Sequence, residues 1–520
     1  MLSALASLYV VSLPLALIFL YRYWRSIQQL KVRTPPSPLS LPFVGNLFSI
    51  PSGSEHYAFA KLGEQLKSDI IFLNILGHKL VILNSAEAAS EILDKRSMLY
   101  SDRPQIPMVA NPTLMNWPGL PSIVGYNDLW RHYRRMMNNW LNARAVTQFA
   151  SLQEQQARLL LRQLLGITNH SRPFKHIKNE FFFAMGSLMF QLAYGYKPRD
   201  SQDQFFQEAK LAFHNVMSAA MQTNFFVNTF PALLYVPDWF PGTRWKRAGR
   251  EYGLQQDTAK TGPYEWVKAQ VASGTQQHSL LGSLLQGHEL VSGLSLAERD
   301  RRLKEIGITL FGGGMDTSAH FLVSFVASMV LNPHVQARAQ QELDTVLGRA
   351  VLPSISDKER LPYVRNVINE VFRLYPVAPL AMAHMCYQDD IYRGYSIQKG
   401  TLVLGNIWAM GRDPRHYENP EEFYPDRYLD PAVPRPPVFG WGRRKCPGVY
   451  FADASVFINA ASILATFTFT KKRDENGREM MPQIEMERNS IMFELKPFEF
   501  ELKPRSEEHR QLILGANAEG

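Results

Sequence analysis

Cysteine is almost missing: 520 residues contain only Cys386 and Cys446. Two thiols cannot build a disulfide framework, so burial must hold the fold, and a cytosolic setting would keep both reduced. Linkers are scarce as well, which favours one large folded body over a string of modules. There is no flavin- or nicotinamide-binding motif and no nucleic-acid motif, although the formal charge is +9. The basic excess then points to anionic lipid, to an acidic protein partner, or to plain solvated surface. What is abundant is apolar: 46% hydrophobic and 12% aromatic residues allow a sizeable core and exclude a disordered chain.

Residues 1–21 carry no charged side chain and are rich in Leu, Ala and Val. As a helix they span about 30 Å, enough to cross a bilayer, and Pro14 is tolerable there. Arg22, Arg25, Lys31 and Arg33 follow at once, which by the positive-inside rule places the remainder in the cytosol. A cleaved signal peptide would need a basic start and a small-residue cleavage site, and neither is evident. Residues 1–21 are therefore expected to be a transmembrane anchor, 22–46 a basic and proline-rich hinge, and 47–520 the catalytic domain. Thr34-Pro35-Pro36-Ser37-Pro38 and Pro42 stiffen that hinge. The sequon Asn169-His170-Ser171 falls on the wrong side of the membrane for glycosylation.

The stretch Phe439-Gly440-Trp441-Gly442-Arg443-Arg444-Lys445-Cys446-Pro447-Gly448 sets a lone thiol in a glycine loop. A thiolate bonded to iron needs backbone N–H groups to spread its charge, and Gly442 and Gly448 let the main chain come close. Phe439 can cover the sulfur, and Arg444 can meet an anionic cofactor edge. An apolar run over 449–469 reads as a helix, so the sulfur would sit near its positive end. A free cysteine is more often simply packed, but F-x-x-G-x-R-x-C-x-G fixes five positions. The segment resembles the haem-ligating loop of the cytochrome P450 family, and nearly the whole chain is similar to its fungal, membrane-anchored, microsomal type. The resemblance implies a mainly α fold with a small β-rich subdomain, and haem b with Cys446 as axial ligand to the iron. Cys386 lacks the glycine context and reads as an ordinary packed thiol.

Other segments gain meaning beside that loop. Trp130 and Arg134 stand one helical turn apart, which alone suggests a surface cation–π pair; the family pattern W-x-x-x-R implies a contact to a haem propionate. His384 could be a satisfied surface histidine, or match the family's Pro-x-His contact to a propionate. A helix is expected from Ser295, capped with Glu298, to Leu331. Gly312, Gly313 and Gly314 lie inside it, each costing about 1 kcal/mol relative to alanine, as though a ligand pressed on the backbone. Gly313-Gly314-Met315-Asp316-Thr317 resembles the family's oxygen-binding motif, which makes Asp316 and Thr317 the catalytic proton carriers; a helical threonine otherwise bonds its own i−4 carbonyl. Glu370 and Arg373 form an E-x-x-R pair, a motif that also occurs at 298, 475, 485 and 507. The resemblance implies a structural network of Glu370, Arg373 and Arg427.

Strands are expected over 70–76 and 79–83 about a Gly77-His78 turn, and again over 379–384 and 394–404. Pocket candidates by resemblance are 103–124, Ile308, Phe311, 377–382 and 490–493. The expected function is a monooxygenase that hydroxylates a lipophilic small molecule with O2, in fungal secondary metabolism of terpenoid or polyketide type. Electrons from NADPH would arrive indirectly, through a separate flavoprotein reductase, at the endoplasmic reticulum membrane. A detoxifying monooxygenase, or a reductase-independent haem-thiolate isomerase or peroxygenase, is the alternative. Nucleic acid is not an expected partner.

Overall fold

In the computed structural model, residue 21 and residues 33–168, 170–487 and 491–516 are described. All of the expected anchor except Tyr21, residues 22–32 of the hinge, and Asn169 of the sequon lie outside the described residues. The chain divides into two units. The first comprises residues up to Pro104 with Leu380–Met410 and Trp441–Arg444; the second comprises Gln105–Pro379, Gly411–Gly440 and the chain from Lys445 onward.

The first unit begins with α1 (Glu55–Gln65) and the hairpin of β1 (Ile70–Ile75) and β2 (His78–Leu83). Ile70 pairs with Leu83 and Ile75 with His78. The turn falls on Leu76-Gly77, at φ +52° and +93°, one position before the expected Gly77-His78. Two left-handed residues are what a tight hairpin demands, and glycine supplies the second without strain. Later come β3 (His384–Met385), β4 (Asp390–Tyr392), β5 (Tyr395–Ile397) and β6 (Leu402–Gly405). The sheet order is β1-β2-β6-β3, with β6 parallel to β2 and antiparallel to β3, where His384 faces Val403. Of the strand expected over 379–384, only His384 forms, because Ala381 adopts φ +54° and breaks the extended path. Ile71, Leu73 and Ile82 pack on Phe59 and Leu62 of α1 as one core, the outcome of period-two patterning.

The second unit is helical. It holds α2 (Asp128–Leu141), α3 (Ala150–Leu165), α4 (Phe174–Tyr194), α5 (Gln204–Ala220), α6 (Arg244–Ser273), α7 (Leu296–Leu331), α8 (Pro333–Leu347), α9 (Pro362–Leu374) and α10 (Val449–Thr466). The Ser295 hydroxyl caps α7, accepting from the Glu298 N–H at 3.3 Å. The expected box is only half made, because the Glu298 carboxylate turns to Arg301 and Arg302. Every residue over 318–330 is buried, so α7 is the axis on which α4, α6, α9 and α10 pack. Both α7 and α10 are long and apolar enough to cross a membrane, yet both are mostly buried inside the protein.

The expected helix over 449–469 stops at Thr466. Phe467 and Phe469 alternate with Thr468 and Thr470, a period of two, and form β7 (Phe467–Thr470) against β8 (Glu501–Pro504). The aromatic stretch 221–245 makes short turns of 3-10 helix and leaves Tyr235 and Trp239 89% and 80% exposed.

Candidate active site

Within the second unit, the Cys446 N–H donates to the Phe439 carbonyl at 2.8 Å, closing the loop. The Gly448 N–H bonds the sulfur, and Gly448 is itself the N-cap of α10. A Cβ at Gly448 would lie 3.9 Å from the sulfur, an ordinary contact. What Gly448 contributes is therefore an N–H donor near a helix N-terminus rather than clearance. Burial pushes the Cys446 thiol up, while the Gly448 N–H and the Arg134 charge pull it down. Gly442 is constrained differently: at φ +54° it packs so closely that a Cβ would fall 2.3 Å from the Leu93 carbonyl in the first unit. The Phe439 ring meets Phe372 edge-on at 5.8 Å.

Arg134 and Trp130 share α2, whose N-cap is Asn127. Trp130 is buried, so the pair is not a surface decoration. Burial lowers the Arg134 pKa, and Cys446 is the group that opposes the shift. Among the described residues the Arg134 guanidinium has no hydrogen-bonded partner.

The three glycines of α7 separate cleanly. A Cβ at Gly312 would strike the Phe213 ring at 1.9 Å, and one at Gly314 would strike Met189 at 2.4 Å. Gly313 meets nothing within 4 Å. Two of the glycines thus admit neighbouring helices, and only Gly313 leaves the backbone open. The Thr317 hydroxyl donates to the Gly313 carbonyl at 2.8 Å, its own i−4 partner. Asp316, next to it, has its carboxyl raised by burial, with His320 pulling the other way.

In the first unit, Arg103 and two further basic side chains, His384 and Arg444, gather about residues 100–103. His384 donates from Nδ1 to the Tyr100 carbonyl at 2.7 Å, and Arg444 donates from Nε to the Ser101 carbonyl at 2.8 Å. Arg103 donates to the Met382 and Ala383 carbonyls, and its Nε is buried without a partner among the described residues. Burial drops Arg103 to about 10 and His384 to about 3, and Arg103 and Arg444 add to the latter shift. His384 is therefore neutral, its Nε2 an acceptor. Arg103 had been placed by sequence only at the edge of a pocket loop, since its partners lie 279 and 280 positions away.

Glu370, Arg373 and Arg427 do meet: Arg427 reaches Glu370 at 3.1 Å, and the Glu370 and Arg373 side chains are 0% exposed. The Glu298/Arg301 and Glu507/Arg510 pairs at the same spacing are solvated. Of the pocket candidates, Ile308 and Phe311 are fully buried, and Phe311 packs on Phe190 at 4.7 Å. Ser490 lies outside the described residues. Trp117 is fixed by Glu305, which pairs with Lys260 at 2.9 Å, tying its loop to α6 and α7. Cys386 is buried and raised to about 11.

A thiol with a donated N–H, an open backbone at Gly313 and the buried Arg134 guanidinium, without a hydrogen-bonded partner among the described residues, fit a metal-bearing, largely apolar group with a carboxylate edge. The family model for cytochrome P450 matches residues 35–501. A cytochrome P450 monooxygenase of Armillaria gallica is 34% identical, covering 94% of each chain. The tryptamine 4-monooxygenase of Psilocybe cyanescens is 34% identical, covering 90% of this chain and 92% of that one. The cytochrome P450 monooxygenase claT of Ampulloclitocybe clavipes is 33% identical over 96% of both. With a family match and relatives spanning nearly its whole length, this chain belongs to the cytochrome P450 family and is a haem-thiolate monooxygenase that uses dioxygen and electrons from a redox partner.

Proposed function

We propose that the protein hydroxylates a lipophilic small molecule in fungal secondary metabolism, drawing electrons from NADPH through a separate flavoprotein reductase. The observation that carries this reading is the Cys446 sulfur held by the Gly448 N–H at the head of α10. Haem bound through that thiolate supplies oxygen activation, the sulfur's electron donation favouring O–O cleavage. Cys446 would hold the haem iron as a thiolate, with the Gly448 N–H and the Arg134 charge offsetting the burial that favours the protonated sulfur. Phe439 and Gly448 steady the loop, with Gly442 keeping its path. Trp130 and Arg134 would hold a propionate; within the first unit, Arg103, His384 and Arg444 form a set suited to a carboxylate. His384 must then take up a proton on Nε2, because a neutral imidazole bonded through Nδ1–H has only a lone pair to offer.

Asp316 holds a proton because burial disfavours its charge. The Thr317 hydroxyl, donating to Gly313, keeps lone pairs free to accept one. Glu370, Arg373 and Arg427 hold the polypeptide leading to the cysteine loop. The exposed aromatics of 221–245 and the apolar run 1–21 are read as membrane contacts at the endoplasmic reticulum, with the catalytic domain in the cytosol.

The test is spectral. The reduced protein with carbon monoxide should show the red-shifted Soret band of a thiolate ligand, and Cys446→His should lose it while retaining haem. A wild-type protein lacking that band would remove the basis for the reading. Titrating the ferric protein with a panel of terpenoids, polyketides and arylamines then sorts substrate classes.

A further inference from the structure

Within the second unit, the segment just before α2 is pinned at a buried charged node. Trp117 is fully buried, and its Nε1–H donates to Oε2 of Glu305 on α7 at 2.5 Å. The other carboxylate oxygen takes Lys260 of α6 at 2.9 Å, and the same ammonium lies 5.3 Å from the centroid of the Trp117 ring. The Lys260 and Glu305 side chains are 9% and 6% exposed. The backbone is drawn in as well: a Cβ at Gly119 would stand 3.2 Å from Glu305 Oε1, and one at Gly253 of α6 would stand 3.0 Å from the Leu114 carbonyl. Apolar side chains of the same volume often hold a core no less firmly than a buried ion pair, so stability alone does not account for this one. What the node adds is direction. An indole has a single N–H, and Glu305 fixes the way it points.

From the node a line of rings leads to the glycines of α7. Trp117 meets Phe213 of α5 edge-on at 6.2 Å, and Phe213 occupies the space that a Cβ at Gly312 would need. The next residue is Gly313, where the backbone is open. Glu305, Thr309 and Gly313 recur every four residues along one stripe of α7, so the node stands about 12 Å along the helix from that opening. We propose that Glu305 is a positioning residue for substrate: by aiming the Trp117 indole it sets where Phe213 stands, and Phe213 limits the bulk of the group admitted beside Gly313. This rests on reading Gly313 as the place where the bound molecule lies against α7. The node joins the segment before α2 to α6 and α7, and the ring it acts on comes from α5, so one carboxylate sets the register of four segments. The wall it holds favours a substrate whose end at Gly313 is slim or planar over one that is branched or caged.

The test uses full-length, haem-loaded ferric protein and two azoles that ligate haem iron, imidazole and 4-phenylimidazole, each followed by its Soret shift. The ratio of their dissociation constants reports the room available for the added ring. Two double variants remove both charges of the node: Glu305→Gln with Lys260→Met keeps an amide oxygen for the Trp117 N–H, whereas Glu305→Leu with Lys260→Met does not. The first should keep the wild-type ratio. The second, and Trp117→Phe, which retains a ring without the N–H, should tighten 4-phenylimidazole severalfold and leave imidazole unchanged. Phe213→Ala should do the same, and adding Glu305→Leu with Lys260→Met to it should bring nothing further. An unchanged ratio in Trp117→Phe and in the Glu305→Leu double variant, with Phe213→Ala still shifting it, would overturn the role of Glu305. Equal shifts in the two double variants would overturn it too, because lost charge rather than lost aim would then be the cause. An unchanged ratio in Phe213→Ala would remove the wall itself. The thiolate Soret band with carbon monoxide is recorded alongside, and its absence from the wild type would overturn the monooxygenase reading instead.

Discussion

Arg373 grips Glu370 through two hydrogen bonds of 2.8 Å, from Nε and from Nη2, and neither side chain has any exposed surface. The same guanidinium donates to the carbonyls of Gly411, Pro420 and Glu422, so one cation organises the meander after residue 410. Arg427 shares Glu370 and adds bonds to the Glu418 and Glu422 carbonyls. Deleting the acid strands two buried cations, and a broken buried pair costs about 3 to 5 kcal/mol. Glu370→Gln should therefore lower the denaturant midpoint by that order and reduce haem retention. Arg301→Ala, at a solvated pair of the same spacing, should cost below about 1 kcal/mol. Equal losses in the two variants would show that burial is not what distinguishes them.

The glycines of α7 give a graded series. Gly312→Ala forces a methyl into the Phe213 ring and Gly314→Ala into Met189, overpacking worth about 1 to 3 kcal/mol each. Gly313→Ala meets open space and should stabilise the haem-free helix by roughly 0.5 to 1 kcal/mol. In the haem-loaded protein the same methyl should cost affinity for ligands. Thermal unfolding of the three variants, with and without haem, reads both effects; a destabilised haem-free Gly313→Ala would show that the position is not open.

Local chemistry made much of this legible in the sequence. The cysteine loop, the Asp316-Thr317 pair and the Ser295 cap depend on neighbours within about ten positions. The glycine run was seen, but its meaning was not: nothing local says that Phe213 and Met189 fill two of the three sites. Arg103 and Glu305 were missed as functional groups for the same reason, since the carbonyls that Arg103 meets and the indole that Glu305 holds lie 188 or more positions away. The helix end at Thr466 was misplaced because an apolar run looks alike in helix and strand until its period is counted.

Thr317→Ala removes one hydroxyl whose recorded bond is to its own helix. Such a loss should shift stability by no more than about 1 kcal/mol. If the hydroxyl accepts and passes protons, the variant should keep the thiolate Soret band yet release severalfold more peroxide per NADPH, and Thr317→Ser should restore the wild-type value. Normal coupling in Thr317→Ala would confine the residue to helix structure.

His384 supplies a pH dependence whose sign is fixed by burial. In the folded, haem-free protein its imidazole is held neutral, with the pKa pushed to about 3 first by burial and then by Arg103; in the unfolded chain it returns to about 6.5. Between those values the unfolded chain binds the extra proton, so stability falls as pH drops from about 6.5 towards 3, and no penalty remains above 6.5. Replacing His384 by glutamine removes the titration, so the variant should lose less stability than wild type between pH 7.5 and 5, as read from denaturant midpoints of the two haem-free proteins. Haem should narrow that difference, because a carboxylate beside Arg103 and Arg444 supplies the counter-charge that lets Nε2 hold a proton. Parallel losses in wild type and His384→Gln would mean that the imidazole is not kept neutral by the fold, and a difference indifferent to haem would remove His384 from the carboxylate-binding set.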